Sequence, residues 1–557
     1  MSLAALALFA VALMLVPLGL MLRQGLMVNG LPSIEPLQGA LGNRSVARAL
    51  WNSLDSAAVS ASLSLMLGAG LALIVGLTNL RRKAVFTFLI LIPMMIPPHV
   101  TAIAWAQALG PSSPLLGAVG LAPPLGSPHP LYGRGGVVAL LAVQHMPLVF
   151  LVVLAALRAL PREIAEAARV SGAGTARLLA KIILPLLIPS LLAAYALAFV
   201  SALGNFGIPA LLGIPGRYTT LPVLIWQRLS SFGPSMLADV AVMSALMALI
   251  AIALVLVQSR LSARSRAALI GPPQPPLRLE LGRARPLAEV AMILLLLVIL
   301  GLPLVALIGT ALVPTYGVAL TPQTLTLANF EQVLFRQSVT ARAFLNSTIA
   351  AGVAALVLAG LGALLARATF GASGPQRGIG QAVSTLAETA YAIPGIVISI
   401  AFILTFLRPL PLIGVSLYNT LTLIVLAYLC AFFAVALKPV SAACLQLDPA
   451  LDEAARVAGA GWGLRMGRIF LPLVAPAAAA GGMLVFLTAY NEITVSALLW
   501  SSGTETIGTV IYNYENGGYT VLAAAMSTVT VVATVTLMAL LDLLGRRLPS
   551  GVVPWRL

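Results

Sequence analysis

The hydrophobic positions of this chain are gathered into long runs that polar residues interrupt at intervals. A run of about 20 apolar residues is long enough for a helix to cross the hydrocarbon core of a bilayer. Membrane helices are favoured over a membrane β-barrel because the alternation typical of barrel strands is absent. We therefore predict twelve membrane-spanning helices, centred near residues 12, 67, 96, 147, 194, 247, 300, 357, 395, 427, 484 and 533.

Composition supports an all-α membrane protein. The 557 residues are 60% hydrophobic and only 9% charged, with a mean hydropathy of +1.03, whereas a soluble domain carries about 25% charged residues. The first apolar run has no basic residue ahead of it, unlike a signal peptide, so we interpret it as a retained spanning helix. The two cysteines, Cys430 and Cys444, are too few for a disulfide framework and are interpreted as small core residues.

The net charge of +16 raises the question of a nucleic-acid partner. The basic residues, however, form short clusters between apolar runs, which is the distribution that the positive-inside rule produces. With the N-terminus in the cytoplasm, 23 of the 32 Lys and Arg residues fall in predicted inside loops, and Arg23 is a local exception. We therefore predict membrane lipid as the surroundings of the chain and no nucleic-acid partner.

The chain is an internal repeat. ARALWNS at residues 47–53 matches ARAFLNS at 341–347, and IPPHVTAIAW at 96–105 resembles IPGIVISIAF at 393–402. A basic, proline-rich stretch near the middle reads as a cytoplasmic linker. The predicted organisation is a first six-span domain at residues 1–260, a linker at 261–287 and a second six-span domain at 288–557. Because six spans return the chain to the same side, the halves share one orientation and are related by a pseudo-two-fold axis along the membrane normal.

One polar phrase occurs twice at a spacing of 287 residues, as EAARVSGAG at 166–174 and EAARVAGAG at 453–461. In both predicted inside loops the phrase indicates a short helix that ends at a glycine turn, followed by a second, basic helix. A solvated loop would explain one copy, but two copies at fixed spacing indicate two docking sites. The candidate docking residues are equivalent in the two halves: Glu166, Ala167, Ala168 and Gly172 in the first, and Glu453, Ala454, Ala455 and Gly459 in the second.

The phrase continues to Ile182, Leu184 and Pro185, and again to Ile469, Leu471 and Pro472. This pattern resembles the EAA loop of inner-membrane permeases in binding-protein-dependent ABC importers. The resemblance covers nearly the whole chain and implies two repeated six-helix permease domains of the type I, MetI-like fold. It also implies a multi-pass protein of the bacterial inner membrane.

By the same resemblance, each EAA loop forms a coupling helix that docks on one of two copies of an ABC ATPase subunit. An extracytoplasmic binding protein would deliver the substrate. The sequence contains no GxxxxGK[ST] phosphate loop and no HExxH, GxSxG or CxxC motif. We therefore expect no enzyme activity and no cofactor in this chain, with ATP and Mg²⁺ used by the partner subunit. With three histidines in all, no metal site is assigned.

The substrate is less clearly indicated than the machinery. Residues 205–226 and 490–518 look most like those of ferric-iron permeases, which are also fused double permeases, so ferric iron is the predicted substrate. Thiamine, phosphonate, polyamine and sugar phosphate stay open as alternatives within the same machinery. An ion-coupled secondary transporter is a remote alternative because it would not need two ATPase-docking loops. A membrane scaffold or sensor without transport is another.

Polar residues inside apolar runs are candidates for a translocation path. Asn491 and Glu492 fall in the eleventh predicted span, and Asn205 is equivalent to Glu492 in the repeat. A buried carboxylate is costly in a membrane and suits a hard cation, but a structural role near the outer helix end explains Glu492 equally well. Gln144, His145 and Glu388 are interpreted as packing or interfacial residues.

A predicted outside loop contains several aromatic residues and one acid. These residues could contact a binding protein, although an interfacial aromatic belt accounts for the tyrosines as well. The residues are Tyr512, Tyr514, Glu515 and Tyr519.

Overall fold

The computed structural model describes residues 3–28, 30–124, 126–158, 160, 162–231, 236–264, 279–370, 375–409, 414–445, 447–448 and 450–545. Helices dominate these residues, and a single antiparallel pair joins β1 (Met27–Val28) to β2 (Leu31–Pro32). The helices of the first half are α1 (Leu3–Ala10), α2 (Val16–Leu26), α3 (Glu35–Gly42), α4 (Arg44–Leu77), α5 (Lys83–Met95), α6 (Pro98–Leu109), α7 (Pro114–Ala118), α8 (Arg134–Arg158), α9 (Arg162–Val170), α10 (Thr175–Leu178), α11 (Leu184–Leu203), α12 (Leu221–Leu229) and α13 (Met236–Arg264).

The second half repeats the order of the long helices, and among its described residues β1, β2 and α7 have no counterpart. Its helices are α14 (Arg285–Leu296), α15 (Leu302–Ala311), α16 (Ala328–Glu331), α17 (Ser338–Phe370), α18 (Pro375–Ala392), α19 (Gly395–Phe406), α20 (Leu421–Cys444), α21 (Ala450–Val457), α22 (Trp462–Arg465), α23 (Leu471–Tyr490), α24 (Ser496–Leu499), α25 (Ile507–Asn516) and α26 (Thr520–Gly545). A 3-10 turn at Gly282–Ala284 precedes α14, and single π-helical turns lie at Val11–Leu15, Leu179–Ile183, Pro209–Gly213, Leu297–Gly301, Gln332–Arg336 and Met466–Phe470.

The all-α membrane fold with two repeated halves is confirmed. Within the described ranges, ten helices are long and apolar enough to cross a membrane, or up to twelve if each of two bent helix pairs is one span. The predicted domain boundaries stay a prediction, because residues 265–278 of the predicted linker lie outside the described residues. On either side of that gap, α13 reaches Arg264 and a new spanning segment begins at Gly282.

The apolar runs centred at 96 and 395 are bent pairs rather than straight helices. The chain bends by 99° between α5 and α6 and by 108° between α18 and α19. Pro97 and Pro394 sit at the bends with matching backbone angles, φ −54° and ψ 138° against φ −55° and ψ 139°. Proline has no N–H to continue the helix and keeps the preceding residue out of the helical region. The repeated Ile-Pro therefore breaks both helices at equivalent places.

The two halves are interleaved through their first spans. Helix α2 packs against α13 of its own half and against α19 of the second half, while α15 packs against α26 and against α6 of the first half. Within each half the longest helix forms the centre: α4 packs on α8 and α11, and α17 packs on α20 and α23. Close approach depends on small residues; a Cβ added at Gly68 of α4 would lie 2.6 Å from the Met146 carbonyl oxygen.

The repeated Asn-Ser pair anchors an outer loop in each half. Asn52 donates its side-chain N–H to the Thr219 carbonyl at 2.9 Å, and the Leu221 N–H donates to the Ser53 hydroxyl at 2.7 Å. Asn346 and Ser347 hold the equivalent loop of the second half in the same way. Asn346 donates to the carbonyls of Gly503 and Glu505, both at 3.0 Å, and the Ile507 N–H donates to Ser347 at 3.0 Å.

We predict that Asn346→Ala lowers the free energy of unfolding by about 1–3 kcal/mol, because it leaves two carbonyl groups without their donor. The measurement is thermal unfolding of the detergent-solubilised protein. Thr348→Ala is a matched control on the same helix, since its exposed hydroxyl donates to the Phe344 carbonyl in its own turn and makes no bond to the anchored loop. An Asn346→Ala protein that unfolds at the control temperature would contradict the anchoring role.

Candidate functional site

The first repeated loop is a short helix closed by a glycine turn. Helix α9 ends at Val170, and Gly172 takes a left-handed conformation with φ +79°. The Gly172 N–H donates to the Arg169 carbonyl and the Ala173 N–H to the Ala168 carbonyl, both at 2.9 Å. This pair of bonds is a Schellman motif, which satisfies the last carbonyls of a helix and favours glycine because a Cβ is disfavoured at positive φ.

The second loop reproduces this turn. Helix α21 ends at Val457, and Gly459 has φ +78°. The Gly459 N–H donates to the Arg456 carbonyl at 3.0 Å, and the Ala460 N–H donates to the Ala455 carbonyl at 2.9 Å. The repeated residues therefore form the same glycine turn in both loops, and this turn fixes where each short helix ends.

Both short helices present apolar and acidic side chains to their surroundings. Val170 and Val457 are each 91% exposed, and Glu166 and Glu453 are exposed one turn earlier. Ala167 and Ala454 are exposed as well, while Ala168 and Ala455 are half-buried. An exposed valine at the same place in two loops, next to a carboxylate and small alanines, provides a surface on which a partner could approach closely.

Each loop leads without interruption into a spanning helix. After Gly174 the chain forms α10, a π-helical turn at Leu179–Ile183 and then α11, and α22, Met466–Phe470 and α23 follow Gly461 in the same order. Pro185 and Pro472 are the second residues of the regular helices that follow the π-turns. In an α-helix the proline ring would collide with the carbonyl four residues earlier, and the wider turn avoids that collision. The short basic helix after each glycine turn is therefore continuous with a helix that crosses the membrane.

The other ends of these spans stop at polar residues between the halves. After α11 the Asn205 side-chain oxygen accepts the Ile208 N–H at 3.2 Å. After α23 the Glu492 carboxylate accepts the N–H groups of Val495 at 2.6 Å and Ser496 at 3.1 Å. Asn205 and Glu492, which the repeat places at equivalent positions, thus cap equivalent turns.

Asn491 joins the two halves directly. Its side-chain N–H donates to the Met95 carbonyl of the first half at 3.3 Å and contacts Thr534 of α26 at the same distance. The equivalent contact lies between Gly204 and Pro394, where an added Cβ would lie 3.1 Å from the proline Cβ. Each broken span therefore meets the proline bend of the other half.

Comparison with known proteins identifies the repeated architecture. The sequence profile of the family described as "Binding-protein-dependent transport system inner membrane component" matches residues 64–266 and 359–551. The chain belongs to this family. Both matched stretches contain one EAA loop, and the permease is therefore a transport subunit with two copies of the family's domain in one chain.

Several named relatives are transport permeases. A protein of Sinorhizobium fredii named as an ABC transporter permease is 25% identical over 88% of this chain and 85% of its own length. A protein of Haloferax volcanii named as a molybdenum ABC transporter permease is 31% identical over 34% of this chain and 67% of its own length. Among solved structures, a chain of a bacterial ABC transporter involved in alginate import matches 48% of this chain and 97% of its own length, at 21% identity and a TM-score of 0.40.

The two halves of the permease also meet through aromatic groups, and of these the sequence analysis singled out only Tyr512. Phe206 of the first half contacts Tyr512 of the second, with ring centroids 5.6 Å apart, and Trp226 lies 5.9 Å from Phe206 and 5.8 Å from Tyr512. His99 is fully buried beside Gly207 and Gly508, which would clash with its backbone and ring if they carried a Cβ. The sequence does show the glycines that allow this close approach. Neither the apolar runs nor the internal repeat, however, indicates which residues those glycines contact.

The predicted outside loop of aromatic residues is helix α25 and the turn after it. Tyr512 is only 4% exposed and belongs to the contact between the halves, so its interpretation as a loop residue was wrong. Tyr519 is 60% exposed and stays available to an outer partner. Glu515 lies between these extremes, and burial raises the pKa of its carboxyl group to about 7.

The predicted path residues of the permease are accounted for by bonds to the chain itself. Asn205 and Glu492 cap backbone turns, and Asn491 links the halves. Over the described ranges, no group of three or more His, Cys, Asp or Glu side chains could hold a metal ion. A role of these three residues in translocation stays a prediction.

The capping geometry predicts how Glu492 responds to substitution. Glu492→Gln keeps an oxygen for the Val495 N–H, so we expect transport at the normal rate. Glu492→Ala leaves two N–H groups unpaired, and we expect the free energy of unfolding to fall by about 0.5–2 kcal/mol. Uptake and thermal unfolding measure the two effects, with Asn205→Ala as the matched variant in the first half. Loss of transport by a normally stable Glu492→Gln protein would instead support a translocation role.

Proposed function

We propose that this chain forms both membrane halves of an importer whose ATP-hydrolysing subunits are separate polypeptides. The observation that carries the proposal is the pair of closed, exposed loops with Val170 and Val457 at equivalent places. Two ATPase subunits, each docked on one loop, account for two copies of the same surface. The chain itself then binds no cofactor, and ATP and Mg²⁺ act in the partner subunits.

The proposed transport cycle rests on the direct connection between each EAA loop and the spanning helix that follows it. Closure of the ATPase subunits on ATP binding moves α9 and α21 together, and the movement passes through the π-turns into α11 and α23. The outer ends of these helices meet the proline bends of the opposite half, so the two halves rock against each other. A binding protein at the outer face of the bacterial inner membrane delivers the substrate to the opening between them.

A secondary transporter would not need the two loops, and a scaffold would not move solute. We predict that the double variant Glu166→Lys and Glu453→Lys inserts into the membrane but loses ATP-dependent uptake, because the reversed charge repels the surface that the carboxylates face. The measurement is uptake together with co-purification of the ATPase subunits. Normal uptake by this variant would contradict the docking role of both carboxylates.

Ser171→Ala is the matched control for the loop. This change converts EAARVSGAG into the sequence of the second copy and removes only a hydroxyl that bonds to the Ala167 carbonyl. Uptake by the control is expected to equal that of the unaltered chain. A strong loss in the control would show that the two loops are not interchangeable.

Ferric iron is the substrate that we propose for this importer, on the resemblance of the two outer loop regions. The relatives carry other names: molybdenum for the Haloferax volcanii protein, 2-aminoethylphosphonate for a Salmonella typhi protein and trehalose and maltose for a Thermococcus litoralis protein. Because Glu492 is engaged by backbone amides, selection of the ion would rest on the binding protein.

The substrate is tested by uptake in cells that lack the gene, with and without its restoration. We expect restored uptake of labelled ferric ion under iron limitation, because the binding protein would then select that ion. Molybdate, 2-aminoethylphosphonate and thiamine are measured in parallel as competing substrates. Restoration of one of these with unchanged iron uptake would overturn ferric iron and leave the importer mechanism in place.

A further inference from the structure

The second coupling helix is fastened by one carboxylate to two arginines on different helices. Arg367 lies near the end of α17, Asp452 in the first turn of α21, and Arg465 at the end of α22. The Arg367 Nη2 donates to Asp452 Oδ1 at 2.7 Å, and the Arg465 Nη1 donates to Asp452 Oδ2 at 2.7 Å. Both oxygens of a single side chain therefore join three helices.

This cluster is sheltered from solvent. The side chains of Arg367, Arg465 and Asp452 are 11%, 16% and 27% exposed, and charge-assisted bonds that are shielded in this way are directional and weakly screened. The Arg367 guanidinium also lies over the Phe470 ring, 5.3 Å from its centroid. Phe470 ends the π-turn in front of α23, so the same arginine contacts both the coupling helix and the start of the span.

The first half has apolar residues at all three positions. The ARALWNS and ARAFLNS repeat aligns Arg367 with Leu73, and the EAA repeat aligns Asp452 with Ala165 and Arg465 with Leu178. Leu178 is fully buried in a cluster with Leu157, and Leu73 packs against that cluster. The cluster formed by Arg367, Asp452 and Arg465 therefore has no counterpart at the three equivalent positions of the first half.

Apolar packing and an ion-pair cluster restrain a helix differently. Hydrophobic contact is non-directional, so by itself it defines the angle between two helices only loosely. A carboxylate held at both oxygens fixes the angle as well as the distance. The two bonds to Asp452 therefore fix the orientation of the second loop relative to α17 and α22.

Resting on the function proposed above, we propose that Arg367, Asp452 and Arg465 are positioning residues that lock the second coupling helix to α17 and α23. They transmit the movement of the ATPase from the second coupling helix to α17 and α23. Removing the lock uncouples hydrolysis from uptake although the ATPase still docks.

The test uses the full complex of this chain, its ATPase and its binding protein in proteoliposomes. Asp452→Asn, Arg367→Gln and Arg465→Gln are compared with Arg468→Gln, an exposed arginine on the same π-turn. We expect normal ATPase association and a fall of about 2- to 30-fold in uptake per ATP hydrolysed for the first three variants. The Arg468→Gln complex is expected to keep the normal ratio.

Two further measurements separate positioning from general stability. If the residues act as one unit, the double variant Asp452→Asn with Arg367→Gln has the same ratio as Asp452→Asn alone. Spin labels at Val457 and Leu356, with Cys430 and Cys444 replaced by alanine, report the angle of α21 to α17. The distance distribution broadens in Asp452→Asn, while labels at Val170 and Met66 of the first half keep their distribution.

The outcomes distinguish this proposal from the proposed function. The positioning role is overturned if the Asp452→Asn complex has a normal ratio of uptake to ATP hydrolysis and an unbroadened distance distribution. This conclusion holds even when the double variant Glu166→Lys and Glu453→Lys abolishes uptake. Normal uptake in that double variant overturns the docking function itself. Should Asp452→Asn fail to assemble, Arg465→Lys keeps the charge but has a single ammonium group in place of the planar fork. A lowered ratio in that variant supports the lock, and a normal ratio overturns it.

Discussion

Every interruption of a membrane helix must find hydrogen-bond partners within the chain, because the hydrocarbon core offers none. This constraint governs the centre of the permease. The breaks after α11 and α23 are closed by Asn205 and Glu492, and the Val495 carbonyl of the second break accepts the Ser399 hydroxyl of α19 at 2.8 Å. The outer loops obey the same rule through the repeated Asn-Ser pair. Polar residues in these apolar surroundings thus mark where the backbone leaves the helix.

The two halves satisfy the constraint with one plan and unequal residues. Asn205 caps its backbone turn with an amide oxygen, whereas Glu492 caps the equivalent turn with a carboxylate. Two residues after the proline of each bend, the first half has His99 and the second half has Ile396. Phe206 meets Trp226 and Tyr512 across the interface, whereas its repeat partner is Ile493. The breaks in the backbone are therefore equivalent in the two halves, whereas the side chains beside them differ.

Much of this architecture could be predicted from the sequence because it depends on local patterns. Apolar run length indicated the spans, and the repeated glycine phrase indicated the closed loops that Gly172 and Gly459 form. The bends at Pro97 and Pro394 were visible as prolines, but run length alone counts a bent pair as one straight helix. Contacts between distant segments could not be predicted in this way. The burial of Tyr512 and the ion pair between Arg367 and Asp452 depend on which helices pack together. The hydrophobic periodicity of one helix carries no information on its neighbours.

Interleaving of the first spans has a consequence for biosynthesis. Helix α2 is synthesised before its partner α19, which lies about 370 residues later in the chain. At about 5–20 residues per second the ribosome needs tens of seconds to deliver α19. During that interval α2 does not yet have its partner from the second half. Because both halves belong to one polypeptide, α19 is always made close to α2 and does not have to reach it by diffusion. Assembly of the two halves therefore does not depend on the amount of a separate second subunit.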